Sequence, residues 1–248
     1  NYKKKHIYSL SQMFKYSSGY TSRITFSSGF RLPSLKELYY EYPTHSFIPL
    51  YGNPDLLPTK NKTYSFSLDK RTHLNDFSIN FYINNVNNYI STEYTNDGSL
   101  IFRNYDSVLI NGLNLHYKRI IANKHNIKLV YNYTDMNSDS FEVLELVSKH
   151  AMNVQLRCQI LKNLHINIDT KYLSEKFNFD QEVDYKNKAG WPYKNPIKTL
   201  EAYSITNVLF SLNVKEYVDI KFGLKNIFDD KDPLIFEGES ILGCYDPG

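Results

Sequence analysis

Five stretches of this chain alternate apolar and polar residues one for one. Val218, Ile220, Phe222 and Leu224 alternate with Asp219, Lys221, Gly223 and Lys225. Leu164, Ile166, Ile168, Thr170 and Tyr172 alternate with His165, Asn167, Asp169 and Lys171. Met152, Val154, Leu156, Cys158 and Ile160 alternate with Asn153, Gln155, Arg157 and Gln159. The stretches around Phe77–Ile83 and Ile127–Tyr133 repeat the pattern, the second less cleanly. A period of two fits a strand with one apolar and one polar face, because successive side chains leave opposite sides of an extended backbone. About ten such strands are expected, near 6–16, 20–30, 60–71, 76–92, 100–118, 125–136, 149–161, 164–175, 201–213 and 217–227.

The connections sharpen that expectation. Short ones fall at 17–19, 72–75, 120–124, 162–163 and 214–216, and longer ones at 31–59, 93–99, 137–148, 178–200 and 228–246. Short and long alternate throughout. In an antiparallel up-and-down meander this puts every long loop at one end and every tight turn at the other, as in transmembrane β-barrels with short periplasmic turns and long extracellular loops. Most of the expected strands reach the roughly 9–11 residues that a tilted strand needs to cross a bilayer, against about 5–6 in soluble proteins. A soluble up-and-down barrel or sandwich would alternate equally well with its apolar face turned inward. Strand length and one-sided loops favour the membrane reading.

Composition removes other classes. No apolar run approaches the roughly 18 residues of a transmembrane helix, so a helical membrane protein is excluded and a β-barrel is not. The 22 Tyr and 15 Phe favour strands. A net charge of +3 with no basic stripe makes nucleic acid a poor partner. Cys158 and Cys244 read as a thiol on a strand face and a loop thiol, with no metal spacing between them. Neither a G-x-S-x-G nor an H-E-x-x-H occurs, so no enzyme is expected and no resident cofactor. The N-terminus carries no signal peptide, so an exported protein would be represented here by a mature piece or a fragment.

The longest loop carries the densest signals. Phe30-Arg31-Leu32-Pro33 and Gly52-Asn53-Pro54-Asp55-Leu56 bracket an aromatic segment with Tyr39, Tyr40, Tyr42, His45 and Tyr51. Pro33 is expected to start a short helix with Ser34-Leu35-Lys36-Glu37-Leu38 as its first turns. Gly52-Asn53-Pro54-Asp55 reads as a turn toward the next strand. Trp191 reads as a headgroup-level ring in the loop 178–200, and His165 is expected in the lumen opposite Ile166.

These boxes resemble TonB-dependent outer-membrane receptors, whose segment is typically written FRAPS…ELY…GNPDLKPE. Three further places match in order: the glycine-bearing strand 106–115, the Ser148-Lys149-His150 strand entry, and Phe222–Lys231 (FGLKNIFDDK, with Asn226 and Phe228) followed by 244–248 (CYDPG). Leu32, Asn114 and Ser148 depart from the usual residues of the pattern. The resemblance implies a single domain over 1–248 that corresponds to the C-terminal part of a barrel of about 22 strands. It implies that the plug domain and last strand lie outside this chain, leaving open edges. It also implies a receptor in the outer membrane of a Gram-negative bacterium, in contact with outer-membrane lipid. Such a receptor binds a scarce bulky ligand at its outer loops and imports it with energy from the TonB–ExbB–ExbD complex, through the plug. The ligand would be haem, a siderophore or cobalamin. Haem is favoured because haem receptors of the family carry a histidine between the two boxes, where His45 stands with Tyr40, Tyr42 and Tyr51 beside it; haem would be transported cargo. A soluble small-ligand barrel and an outer-membrane barrel enzyme are the alternatives.

Overall fold

The computed structural model describes residues 6–42, 49–95, 99–138, 147–179, 197–214 and 218–231. Ten strands form the wall: β1 (Ser9–Lys15), β2 (Tyr20–Arg31), β5 (Thr59–Arg71), β6 (Asn75–Tyr94), β7 (Leu100–Ile121), β8 (His125–Ser138), β9 (His150–Leu161), β10 (Leu164–Leu173), β13 (Tyr203–Val214) and β14 (Val218–Leu224). Each pairs antiparallel with the next in that order. Between β2 and β5 lie a short helix, α1 (Leu35–Tyr39), and two-residue strands β3 (Glu41–Tyr42) and β4 (Leu50–Tyr51); β11 (Lys176–Phe179) and β12 (Ile197–Leu200) form a separate ribbon between β10 and β13. The expected up-and-down wall of about ten strands is the observed one, with tight turns at one end and longer connections at the other. The four short strands and the helix inside the long loops refine that expectation.

Cross-strand register shows how the two faces are built. One row runs Ile24, Phe66, Phe81, Leu113, Tyr133 across five strands. A parallel row runs Leu68, Ile79, Leu115, Tyr131, Met152, Tyr172. The intervening rows carry the polar face, such as Ser67, Asn80, Asn114, Asn132. His165 lies on this polar face, in register with Ser211 and Gln159.

The apolar face is uncovered. Tyr64 is 53% exposed, Ile83 50% and Phe81 44%. A sandwich or closed soluble barrel would bury this face against a second layer; among the described residues none lies on it. It is the lipid-facing side of a partial barrel. On β5 the outward residues Tyr64, Phe66 and Leu68 lie between Lys62 and Lys70. Eight residue steps at about 3.3 Å each give roughly 26 Å along the strand, or about 20 Å of height at a tilt of about 35–45°, which fits within the apolar band of about 25 Å in outer-membrane barrels. Lysines at its edges carry their charge outward on flexible stems; Lys70 places its Nζ 4.3 Å from the Tyr20 ring centroid.

On the polar face, side chains bond one another. Thr63 donates to Asn84 at 2.9 Å and Asn153 to Asp169 at 3.2 Å. Gly112 sits directly opposite Tyr82. A Cβ at Gly112 would fall 2.1 Å from the Tyr82 ring, so the glycine leaves the space that the ring occupies. Among the described residues β1 pairs with β2 alone and β14 with β13 alone, so both edges of the wall are open.

Candidate functional site

Beyond Asn87 the strand β6 loses its partner β5, and β6 and β7 continue together to Tyr94 and Leu100 as a two-stranded arm. The turn into the arm is Asn88, which has φ of 52°, a left-handed conformation that asparagine tolerates better than most residues. The loop between β2 and β5 folds onto this arm.

Local chemistry starts with α1. The Ser34 hydroxyl accepts from the Glu37 amide at 3.2 Å, and the Glu37 carboxylate accepts from the Ser34 amide at 2.7 Å. This is a reciprocal capping box. The helix therefore begins two residues later than expected, at Leu35: Ser34 is the cap, and Pro33 precedes it, buried. Arg31 grips both Glu37 oxygens, at 3.0 and 2.8 Å. A five-residue helix does not persist alone, so packing must hold it. Leu38 is buried with Leu56 and Ile90, and Phe102 packs on that cluster.

The second box supplies the other half of the fit. Gly52 donates to the Tyr40 carbonyl at 2.6 Å, and Asn53 donates to the Glu37 carbonyl at 2.8 Å. The Asn53 side chain donates to the Phe102 carbonyl at 3.0 Å and accepts from the Asp55 amide at 3.0 Å. Pro54 and Asp55 are the exposed tip of that turn. Asn104 accepts from the Leu57 amide at 2.7 Å and donates to the Leu57 carbonyl at 3.0 Å. Thr59 donates to the Asn88 carbonyl at 2.9 Å. β3 pairs with β4, and β4 runs parallel to the start of β7. The two boxes thus form one folded unit docked on the arm.

The unit lies over the polar face of the wall. Phe102, Asn104 and Val108 share parity with Gly112 along β7, opposite to the outward Leu113 and Leu115. Toward the arm that face carries an apolar cluster, at Val86, Ile90, Phe102 and the fully buried Val108. The unit therefore stands inside the rim, at the long-loop end.

Tyr40 follows α1 half-buried, with Lys36 Nζ 5.2 Å from its ring centroid. Tyr51 lies in β4 opposite Glu41 and beside Ile101, and Tyr42 pairs with Leu50 on the adjacent rung. These three positions lie on successive rungs at or beside the β3–β4 pair. His45, Trp191 and Cys244 lie outside the described residues. Sequence reasoning missed Asn88 and Asn104, whose roles depend on a long-range partner and leave no local signal.

The Phe222–Lys231 box forms a second turn at the same end. Asn226 (φ 47°) and Asp229 (φ 51°) are left-handed. Asn226 accepts nothing at its Oδ1 among the described residues, but its amide donates to Asn207 Oδ1 at 2.9 Å and its side chain to the Asp230 carbonyl at 2.7 Å. The Ser204 amide donates to Asp230 Oδ2 at 2.6 Å. That backbone bond chiefly holds the Asp230 carboxyl below its ordinary value. Phe228 lies exposed within the turn, between Ile227, whose amide donates to the Thr206 carbonyl, and Asp229, whose amide donates to the Asn226 carbonyl. The box pins the end of β14 to the start of β13.

Burial pushes the Glu37 carboxyl up, but the hydrogen bonds from Arg31 and Ser34 and the Arg31 charge outweigh it, leaving the group below its ordinary value of 4.5. A lowered carboxyl contributes stability that is full above the unfolded pKa and is lost as pH falls through the folded one. Hydrogen-exchange protection of α1 is therefore expected to hold at neutral pH and to decline as pH falls below 4.5. Glu37→Gln is expected to lower that protection at neutral pH and remove its pH dependence; a wild-type helix equally protected well below that window would refute the assignment.

A family model described as TonB dependent receptor-like, beta-barrel matches residues 2–227. The vitamin B12 transporter BtuB of Photobacterium profundum is 24% identical over 208 residues, covering 82% of this chain and 30% of that protein. Among solved structures, the siderophore receptor PirA from Pseudomonas aeruginosa superposes with a TM-score of 0.64 at 15% identity, over 91% of this chain and 39% of that one. The copper transporter OprC superposes with a TM-score of 0.65 at 14% identity, over 89% of this chain and 33% of that one. Likeness at this identity shows the fold. The chain spans about a third of the length of these relatives.

Proposed function

This chain belongs to the family of TonB-dependent receptor-like β-barrels, and from that premise we propose that it supplies wall and mouth to an outer-membrane receptor importing a scarce, bulky nutrient. The observation that carries the reading is the folded unit formed by residues 30–42 and 49–59. It is built from the two boxes and docked inside the rim of a wall whose long connections share one end. Loops at one end of a rigid scaffold are where ligand chemistry concentrates.

The wall is passive in this reading. It shields its own backbone groups from lipid by strand pairing and holds the unit still while a ligand is captured. Transport energy comes from the TonB–ExbB–ExbD complex through a plug carried by the complete receptor. The named relatives handle vitamin B12, a siderophore and copper, so the cargo class is a metal or a metal-bearing compound. Within it haem is our preferred ligand, on His45 and the neighbouring Tyr40, Tyr42 and Tyr51. Imidazole and phenolate oxygen are both axial ligands to haem iron, and aromatic rings suit a flat macrocycle.

The complete receptor, purified in detergent, is to be titrated with haem, vitamin B12 and ferric enterobactin. Haem is expected to bind with a Soret shift, and His45→Ala to weaken it about tenfold or more. An unchanged spectrum and affinity in His45→Ala would remove His45 as a ligand. Binding of vitamin B12 or enterobactin in place of haem would reassign the cargo, and no binding of any of the three would sink the proposed cargo.

A further inference from the structure

We propose that Asn104 is the positioning residue of the ligand-binding unit. Its side chain accepts from the Leu57 amide at 2.7 Å and donates to the Leu57 carbonyl at 3.0 Å, pairing with both polar groups of one residue. The same amide donates to the Asn88 carbonyl at 3.0 Å. That carbonyl also accepts from the Thr59 hydroxyl at 2.9 Å, and the Asn88 side chain donates to the Pro58 carbonyl at 3.4 Å. Four pieces of chain meet at this node: the end of the loop, the first residue of β5, the left-handed turn of β6 and the inward face of β7.

The location gives the node its role. Leu56, next to Leu57, is buried against α1 and the arm, and the boxes hold the unit together within itself. The Asn53–Phe102 bond and the β4–β7 rungs hold the middle of the unit to the arm, and the bonds of Asn104 set where its end, at Leu57, sits along the wall. One carboxamide sharing three bonds fixes a direction as well as a distance, since its donor and acceptor lie in one plane. Without it the unit keeps its internal bonds and its apolar contacts, but loses part of the register that sets where its surface, with positions Tyr40, Tyr42 and Tyr51, stands on the wall. This inference rests on the receptor reading above for the meaning of that surface, and on geometry alone for the node.

The test compares wild type with Asn104→Leu and Asn104→Asp in the complete receptor. Hydrogen exchange is read at residues 50–60 and along β8–β10, and affinity is read with haem, vitamin B12 and ferric enterobactin. Asn104→Leu is expected to speed exchange at 50–60 by about ten- to a hundredfold, to leave β8–β10 unchanged, and to weaken the bound probe by a similar factor. Asn104→Asp keeps the acceptor for the Leu57 amide and is expected to restore part of both. Unchanged exchange at 50–60 in Asn104→Leu would overturn the node. Faster exchange with unchanged affinity would overturn the positioning role. Where none of the three probes binds wild type, the proposed cargo fails and the exchange arm alone decides the node.

Discussion

Phe81→Arg is expected to destabilise the membrane-inserted receptor by about 2–4 kcal/mol, while Asn80→Arg, one residue away, leaves it nearly unchanged. Phe81 lies in the outward row between Phe66 and Leu113 and is 44% exposed. In water an exposed phenylalanine gains from becoming arginine. In the apolar band the guanidinium must be dragged out of headgroup water or reach back to it, and near mid-band the side chain is too short to reach cheaply. Asn80 belongs to the polar face, in register with Ser67 and Asn114, where a charged group stays hydrated. The measurement is the urea midpoint of both variants reconstituted in phospholipid vesicles, at constant slope. Equal tolerance of both substitutions would reverse the assignment of the two faces.

Gly52→Ala is expected to undock the unit formed by residues 30–42 and 49–59, at a cost of about 3 kcal/mol. A Cβ there would lie 2.5 Å from the Tyr39 nitrogen and 2.6 Å from the Leu38 carbonyl carbon and the Tyr40 nitrogen. All three are backbone atoms. They are held by α1 and by the Gly52–Tyr40 hydrogen bond, so no side chain can rotate away to make room. Gly19→Ala is the control: it has open space and only the strain of φ at +80°, worth about 1 kcal/mol. Limited proteolysis at the loop end should show early cleavage in Gly52→Ala and a near-native pattern in Gly19→Ala. A protected loop in Gly52→Ala would mean that the close approach of the two boxes is not what holds them.

The wall was legible because membrane strands keep a strict period of two, and a uniform lipid environment leaves little to interrupt it. Strand ends were less legible. β7 starts at Leu100 as expected, but β6 runs on to Tyr94 instead of stopping near 92 because it pairs with β7 after β5 has left, a fact that no local pattern carries. At α1 two start signals compete, Pro33 and the Ser34–Glu37 box, and the box wins because its bonds satisfy otherwise open amides. β3 and β4 are two residues each and exist through pairing with each other and with β7. The boxes announced a receptor-like loop; which atoms lock it to the wall, at Asn53, Asn88 and Asn104, depends on chain distant in sequence.

Each strand of the wall lies beside its predecessor, and this governs the order of assembly. Hairpins such as β5–β6 and β9–β10 close over two or three residues and form early, since few dihedrals must be fixed before pairing begins. The junction of β2 with β5 must instead draw its ends together across residues 32–58. Closing a loop roughly nine times longer than the turn 72–74 costs about 2 kcal/mol more in chain entropy. Once α1 has met Leu56 and the arm, the two boxes are already joined, and less slack chain is left to close. The mouth of the receptor would then act as the catch that brings β1–β2 onto the rest of the sheet.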